Sequence, residues 1–215
     1  AWGVVRGAGG GCGGWGDLDE GPASDPGPEG ARKRLRGYWA VGRTIRAMSK
    51  PGVARVDGYA VGGAFALVCA SDLVCASERA LFVPAFCQIG IVPEMGMMKL
   101  LPDLVGPQRA KELLFFGGKI PALQLYDWGV VNRVFPTETL EADTLWFARQ
   151  LAGMPDASIH LTKNIMNALA DGNLEACLEA DSTASPFCTT TKAYAATPAE
   201  LARRTLRRGA ERGPY

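Results

Sequence analysis

Histidine is almost absent from this sequence, and cysteine occurs without any pairing motif. The one histidine, His160, falls in a C-terminal helical pattern that favours a surface or core role over catalysis. The six cysteines are scattered, at positions 12, 69, 75, 87, 177 and 188. No CxxC pair or other metal-ligand spacing occurs, so no metal site is expected. Thiols in apolar runs indicate free cysteines in a reducing compartment, which predicts a cytoplasmic protein.

Long hydrophobic runs and an excess of one charge are also lacking. No apolar stretch approaches the roughly 20 residues needed to cross a bilayer, so no membrane partner is expected. The 23 lysines and arginines nearly balance the 22 acidic residues, which argues against a nucleic-acid partner. No P-loop or dinucleotide fingerprint is present, and no cofactor is expected. The 215 residues are enough for one domain with a real core.

Glycine, by contrast, is clustered, and one cluster follows a short β-rich run at residues 53–56. The segment "VDGYAVGGAF" (56–65) passes from this run through Gly62 and Gly63 into a small-residue apolar stretch. Amides at the start of a helix point outward and carry the positive end of its dipole. The pair could therefore form half of an oxyanion hole, or it could serve only close packing of strand and helix.

A second glycine cluster, "RGAGGGCGGWGDL" (6–18), follows another apparent strand at residues 2–6. Two glycine loops that leave neighbouring strands could bring two amides onto one carbonyl oxygen. Together with "KPGVARVDGYAVGGAFALVCASDLVCASERALF" (50–82), "IGIVPEMGMMKLLPDLVGPQRAKELLFFGGKI" (89–120) and "WGVVNRVFP" (128–136), the sequence resembles the crotonase family, also called the enoyl-CoA hydratase/isomerase superfamily. The combination is far more specific than either loop alone.

The resemblance implies an α/β fold of the ClpP/crotonase type, a spiral of ββα units with a C-terminal helical trimerisation region. It divides the chain into a crotonase core at 1–138 and a helical region at 139–215. Relatives carry one further β-rich hairpin ahead of the first strand, so the core is expected to be truncated at its N-terminus. The implied assembly is a homotrimer, or a hexamer built as a dimer of trimers.

Local patterns agree with that architecture. Residues 19–30 are rich in proline, glycine and acidic residues and predict a mobile loop. The spacing of Leu35, Trp39, Val41, Ile45 and Met48 predicts a helix over 32–48. A strand–helix–strand order implies a parallel sheet. A further strand is predicted at 130–134, and helices from residue 140 onward.

The chemistry is expected between residues 82 and 98. Glu94 is a lone carboxylate among apolar residues, just before a predicted helix, where burial would raise its pKa and suit it to proton transfer. A helix-entry acid that only complements the dipole is the alternative interpretation. The resemblance implies that acyl-CoA binds here, with the amides of Gly16 and Gly63 as the oxyanion hole. The residues expected to contact the substrate are Trp15, Asp17, Gly62, Phe86, Met95 and Met98.

Two departures from the family pattern bear on the reaction. Hydratases of the family use two glutamates to activate water, and this sequence has Ala66 and Phe86 at those positions. Isomerases that resemble the Δ3,Δ2-enoyl-CoA isomerases keep one glutamate in a Pro-Glu setting, where Glu94 stands. The resemblance therefore favours an enoyl-CoA isomerase. A hydratase, another crotonase reaction such as dehalogenation or hydrolysis, and a non-catalytic acyl-CoA-binding or scaffold protein remain alternatives.

Overall fold

The computed structural model describes residues 3–7, 27–154, 156–170, 172 and 174–189. In chain order its elements are β1 (Gly3–Arg6), α1 (Pro28–Ala47), β2 (Gly52–Val56), β3 (Tyr59–Val61), α2 (Gly63–Ala70), β4 (Leu73–Ser77), β5 (Leu81–Val83), a 3-10 turn (Cys87–Ile89), α3 (Met97–Val105), α4 (Pro107–Phe116), β6 (Ile120–Pro121), α5 (Ala122–Asp127), β7 (Arg133–Phe135), α6 (Leu140–Ala152), α7 (Asp156–Ala170) and α8 (Leu174–Thr189).

The described strands form two sheets. One sheet has the order β1-β2-β4-β7 and the other β3-β5-β6. Every pairing in the larger sheet is parallel, as the strand–helix–strand pattern predicts. In the smaller sheet β3 and β5 are parallel, while β5 and β6 are antiparallel. Two successive units, β2-β3-α2 and β4-β5-α3, each give one strand to each sheet before a helix, as in the spiral of ββα units that the family resemblance implies.

Helix α1 shows where the helical periodicity holds and where it fails. It begins at Pro28, inside the segment predicted as a loop, because proline with its fixed φ suits the first turn of a helix. Leu35, Trp39 and Ile45 are buried against the core as expected. Val41, which the helical spacing grouped with these residues, is 50 % exposed, so that part of the pattern was wrong. Buried positions recur on one stripe of a helix, and Val41 lies outside that stripe.

Strand β7 begins later than its sequence predicts. The valine-rich segment at 130–134 suggests a strand from Val130, yet β7 covers Arg133–Phe135. The amides of Val130 and Val131 donate instead to the carbonyl of Leu125, at 2.8 and 3.1 Å. These two valines therefore close the end of α5 and bury their side chains in the core rather than pairing with β4.

The main core lies around α2, which is buried on nearly every side. Its largest fully buried side chains include those of Phe65, Phe82, Phe86 and Met97. The rings of Phe65 and Phe82 meet at 5.4 Å between centroids. A smaller cluster joins α6 to the larger sheet. In the described part of the chain, no helix combines the length and apolar character needed to span a bilayer.

Candidate active site

The segment that links β3 to α2 sets the first wall of the site. Gly62 has φ 53°, a left-handed value that glycine adopts without steric cost. Its amide donates to the carbonyl of Val83 at 2.8 Å, and its own carbonyl accepts from Ala66 at 3.0 Å. Gly63 is the first residue of α2. Its N–H belongs to the first turn, whose amides have no acceptor within the helix and point toward an incoming oxygen.

Glu94 provides the carboxylate. Of the acidic side chains that the structure describes, it alone is buried, with 6 % of its surface exposed. Its carbonyl accepts from the amide of Met97 at 3.1 Å, which fixes the turn that leads into α3. The apolar neighbours in the sequence predict this burial, and the structure places Glu94 accordingly.

Met95 joins the glutamate turn to the glycine turn. Built on the backbone of Gly63, a β-carbon would lie 2.9 Å from the sulfur of Met95. The Met95 side chain therefore packs directly against the first residue of α2. Since Met95 follows Glu94 in the chain, the structure brings Gly63, Met95 and the Glu94 turn to one place. Gly63 and Met95 are about 30 residues apart in the sequence, so the sequence alone does not predict this contact.

The two hydratase glutamate positions carry apolar residues that are fully enclosed. Ala66 is 1 % exposed and Phe86 is 0 % exposed. Neither side chain can hold a water molecule by hydrogen bonding. The site therefore combines the buried carboxylate of Glu94 with two buried apolar residues, Ala66 and Phe86, which together are called the apolar wall.

Gln88, which sequence reasoning did not single out, holds the Phe86 segment in place. Its side-chain nitrogen donates to the carbonyl of Phe115 at 3.0 Å, at the end of α4. The neighbouring Gly117 has φ 59°, and a β-carbon there would lie 2.1 Å from the Gln88 side chain. Gly117 is thus required both by its conformation and by the space that Gln88 fills. In the sequence, this contact is marked only by the Gly117-Gly118 pair that follows α4.

Four further site residues were predicted from the sequence. Met98 lies in α3 with 37 % of its surface exposed. Gly16, Trp15 and Asp17 lie outside the described residues. His160 is half-buried in α7, which agrees with a structural role. Within the described ranges, no group of three or more His, Cys, Asp or Glu side chains could hold a metal ion.

Comparison with known proteins agrees with this architecture. The family model described as enoyl-CoA hydratase/isomerase matches residues 16–195. A 4-chlorobenzoyl coenzyme A dehalogenase of Arthrobacter sp is 37% identical over 166 residues, 76% of this chain and 60% of that protein. The 1,2-epoxyphenylacetyl-CoA isomerase of Escherichia coli (strain K12) is 32% identical over 154 residues, 72% of this chain and 59% of that protein. The chain thus spans about three fifths of the length of these curated relatives.

A solved structure extends the match to the fold. The enoyl-CoA hydratase/isomerase of Xanthobacter autotrophicus Py2 superposes with a TM-score of 0.80 at 30% identity, over 99% of this chain and 81% of that one. The chain belongs to the enoyl-CoA hydratase/isomerase family and has the crotonase fold.

Proposed function

We propose that this protein is an enoyl-CoA isomerase that moves the double bond of a 3-enoyl thioester into conjugation with the carbonyl. The observation that carries the proposal is the buried carboxylate of Glu94, the only buried one among the described acidic side chains, in the turn that packs on Gly63. One carboxylate is sufficient for a reaction that only relocates a proton from C2 to C4. No second acid is needed, because the group that removes the proton can also return it.

The mechanism follows from these two positions. The thioester carbonyl accepts a hydrogen bond from the amide of Gly63, and Gly16 is proposed as the second donor. Glu94 removes a proton from C2, which leaves an enolate whose oxygen the amides stabilise. The protonated Glu94 then returns the proton at C4. Losing one donor of such a pair costs about 3 kcal/mol in comparable enzymes.

The apolar wall supports isomerisation over hydration. Hydration requires a held and activated water, and Ala66 and Phe86 offer no group that can bind one. Exclusion of water also protects the enolate and the conjugated product from side reactions. The two buried apolar side chains therefore favour the same reaction as the single carboxylate.

Dehalogenation is the second candidate, because a relative named 4-chlorobenzoyl coenzyme A dehalogenase is 37% identical. A dehalogenase subgroup of the family places a nucleophilic aspartate near the position of Glu94. In that reaction the carboxylate would attack the ring carbon, release chloride and form an ester that water then cleaves. The water-cleavage step needs a base, and the only histidine of the chain, His160, lies in α7.

The test is the appearance of the conjugated thioester chromophore from 3-hexenoyl-CoA, with wild type and Glu94→Gln. We expect turnover by the wild type and at least about a thousandfold loss in the variant, since it removes the proposed proton carrier. Glu112→Gln, an exposed carboxylate on α4, is the matched control and should keep full activity. Hydration of a 2-enoyl-CoA that survives Glu94→Gln, or chloride release from 4-chlorobenzoyl-CoA, would overturn the proposal. Acyl-CoA binding without turnover would identify a scaffold.

The assembly is proposed to be a homotrimer, or a dimer of such trimers. Helix α7 exposes a row of large apolar side chains, at Leu161, Ile165, Met166 and Leu169. Apolar faces of this kind mark surfaces that bind another protein. Light scattering should give three or six times the mass of the chain for wild type and a smaller species for Ile165→Glu. A monomeric wild type would contradict this part of the proposal.

The cellular location is proposed to be the cytoplasm. Cys69, Cys75 and Cys87 are free thiols. Burial raises the pKa of Cys69 to about 12 and that of Cys75 to about 11. Both thiols are therefore protonated and inert at neutral pH, as expected of structural cysteines in a reducing compartment.

A further inference from the structure

Met95 has a backbone conformation that its side chain does not favour. Among the described residues it is the only one other than glycine with φ in the left-handed region, at 58°. Gly96 follows with φ 76° and ψ 8°, and the amide of Met97 bonds to the carbonyl of Glu94. Two left-handed residues closed by this bond describe a type I′ turn. Its first central position usually holds Asn, Asp or Gly.

The left-handed backbone of Met95 costs free energy that the intrinsic preferences of methionine do not offset. A left-handed conformation costs about 1–2 kcal/mol for a residue with a β-carbon. Such strain persists where the surrounding structure enforces it, and it concentrates at functional sites. Gly96 shows the ordinary solution, since glycine adopts the same region freely. A methionine beside it indicates that the side chain itself is needed.

The turn directs the Met95 side chain onto the start of α2. Its sulfur lies 2.9 Å from the point that a β-carbon on Gly63 would occupy. That β-carbon and the amide nitrogen of Gly63 would be attached to one α-carbon. The thioether is partly buried and packs on the main core cluster. It therefore borders the space in which an oxygen bonded to the Gly63 amide would lie.

This position determines which carbon of a substrate meets the thioether. In the proposed reaction the carbonyl oxygen is held at Gly63 and the C2 proton is taken by Glu94. C2 must lie between the Gly63 amide and the Glu94 carboxylate. Met95 packs against Gly63 and follows Glu94 in the chain. We propose that Met95 is a specificity-determining residue that admits acyl groups unbranched at C2 and excludes those with a methyl substituent there. This inference rests on the proposed function.

Binding of two isomeric saturated esters tests the inference without any turnover. Isothermal titration would compare butyryl-CoA, which is unbranched, with isobutyryl-CoA, which carries the C2 methyl. One misplaced methyl group is worth about 10–200-fold, so the wild type should bind butyryl-CoA at least about tenfold more tightly. In Met95→Ala the ratio should fall below about threefold, chiefly through tighter binding of isobutyryl-CoA.

Two further variants separate specificity from a structural effect. Met95→Leu keeps the volume and should keep the ratio, whereas Met154→Ala removes an exposed methionine elsewhere and should change nothing. A ratio of affinities does not depend on the folded fraction, so partial unfolding cannot imitate the result. A ratio that survives in Met95→Ala, or a wild type that binds both esters equally, would overturn the inference alone. Failure of the wild type to bind either ester would overturn the proposed function as well.

Discussion

The ammonium nitrogen of Lys163 lies 2.7 Å from Oδ2 of Asp72, and it also donates to the main-chain oxygens of Ile45 and Lys50. The same carboxylate oxygen accepts from the amide of Gly52, at the start of β2. Lys163 is buried, so this cluster attaches α7 to the end of α1 and the larger sheet. Its one charged atom therefore links α7 to α1, to the turn that follows α1 and to the turn between α2 and β4.

Lys163→Met should lower the free energy of unfolding by about 3 kcal/mol, because it leaves Asp72 and two carbonyls without their shared donor. Urea denaturation measures the change. Lys111→Met, which replaces an exposed lysine of α4, is the control and should alter stability by less than about 0.5 kcal/mol. An equal and small effect for both variants would mean that the buried contact contributes little.

Gly63→Ala should impair activity through Met95. The added methyl would meet the Met95 sulfur at 2.9 Å, so the thioether must shift. We expect a fall in kcat/KM of about tenfold or more from displacement at the site. Combining Gly63→Ala with Met95→Ala removes the clash, and the second substitution should recover part of the loss. Strictly additive effects in this double-mutant cycle would show that the two residues do not interact.

Met95→Gly should be more stable than Met95→Ala by about 1 kcal/mol. Both variants lose the thioether, but only alanine keeps a β-carbon in the left-handed conformation at φ 58°. This reverses the usual order, in which glycine is the less stable of the two. Urea denaturation of the pair gives the difference directly. The usual order would show that the turn relaxes when the side chain is removed.

The contribution of Asp57 to stability should disappear in acid. Hydrogen bonds from the Arg79 guanidinium hold the pKa of Asp57 below its ordinary value of 3.8, and a bond from Ser77 adds to this, whereas burial acts in the opposite direction. A carboxylate whose pKa is lower in the folded than in the unfolded state stabilises the fold at pH values above its unfolded-state pKa. This stabilisation is lost as the pH falls through the folded-state pKa. The stability difference between wild type and Asp57→Asn should therefore be constant above about pH 5 and shrink below 3.8. Glu112→Gln is the control, and a difference that is undiminished at pH 2 would contradict this linkage.

Patterns of short range carried most of the fold prediction. The glycine turn before α2 and the burial of Leu35, Trp39 and Ile45 in α1 depend on neighbouring residues, and both are confirmed. Burial of Glu94 also followed from its apolar neighbours. Val41 and the start of β7 were wrong because tertiary contacts decided them: which stripe of α1 meets the core, and which carbonyl Val130 reaches.

Other features of the site left no usable signal in the sequence. A left-handed methionine contradicts the residue preferences of its turn, so no pattern predicts the backbone conformation of Met95. Gln88 reaches a carbonyl 27 residues away, at Phe115. Both are contacts between segments that meet only once the sheets are assembled. The proposed partner of Gly63, Gly16, lies outside the described residues, and its role stays a prediction.

The strand order of the larger sheet has a consequence for synthesis on the ribosome. All its pairings are parallel, and the last strand, Arg133–Phe135, pairs with Leu73–Ser77 in the middle of the chain. Parallel pairs cannot form from a local hairpin, and contacts distant in sequence form slowly. The sheet is therefore incomplete until residue 135 has emerged from the exit tunnel, and the edge of Leu73–Ser77 stays open until then. Chaperone binding to nascent chains should be strongest in that interval.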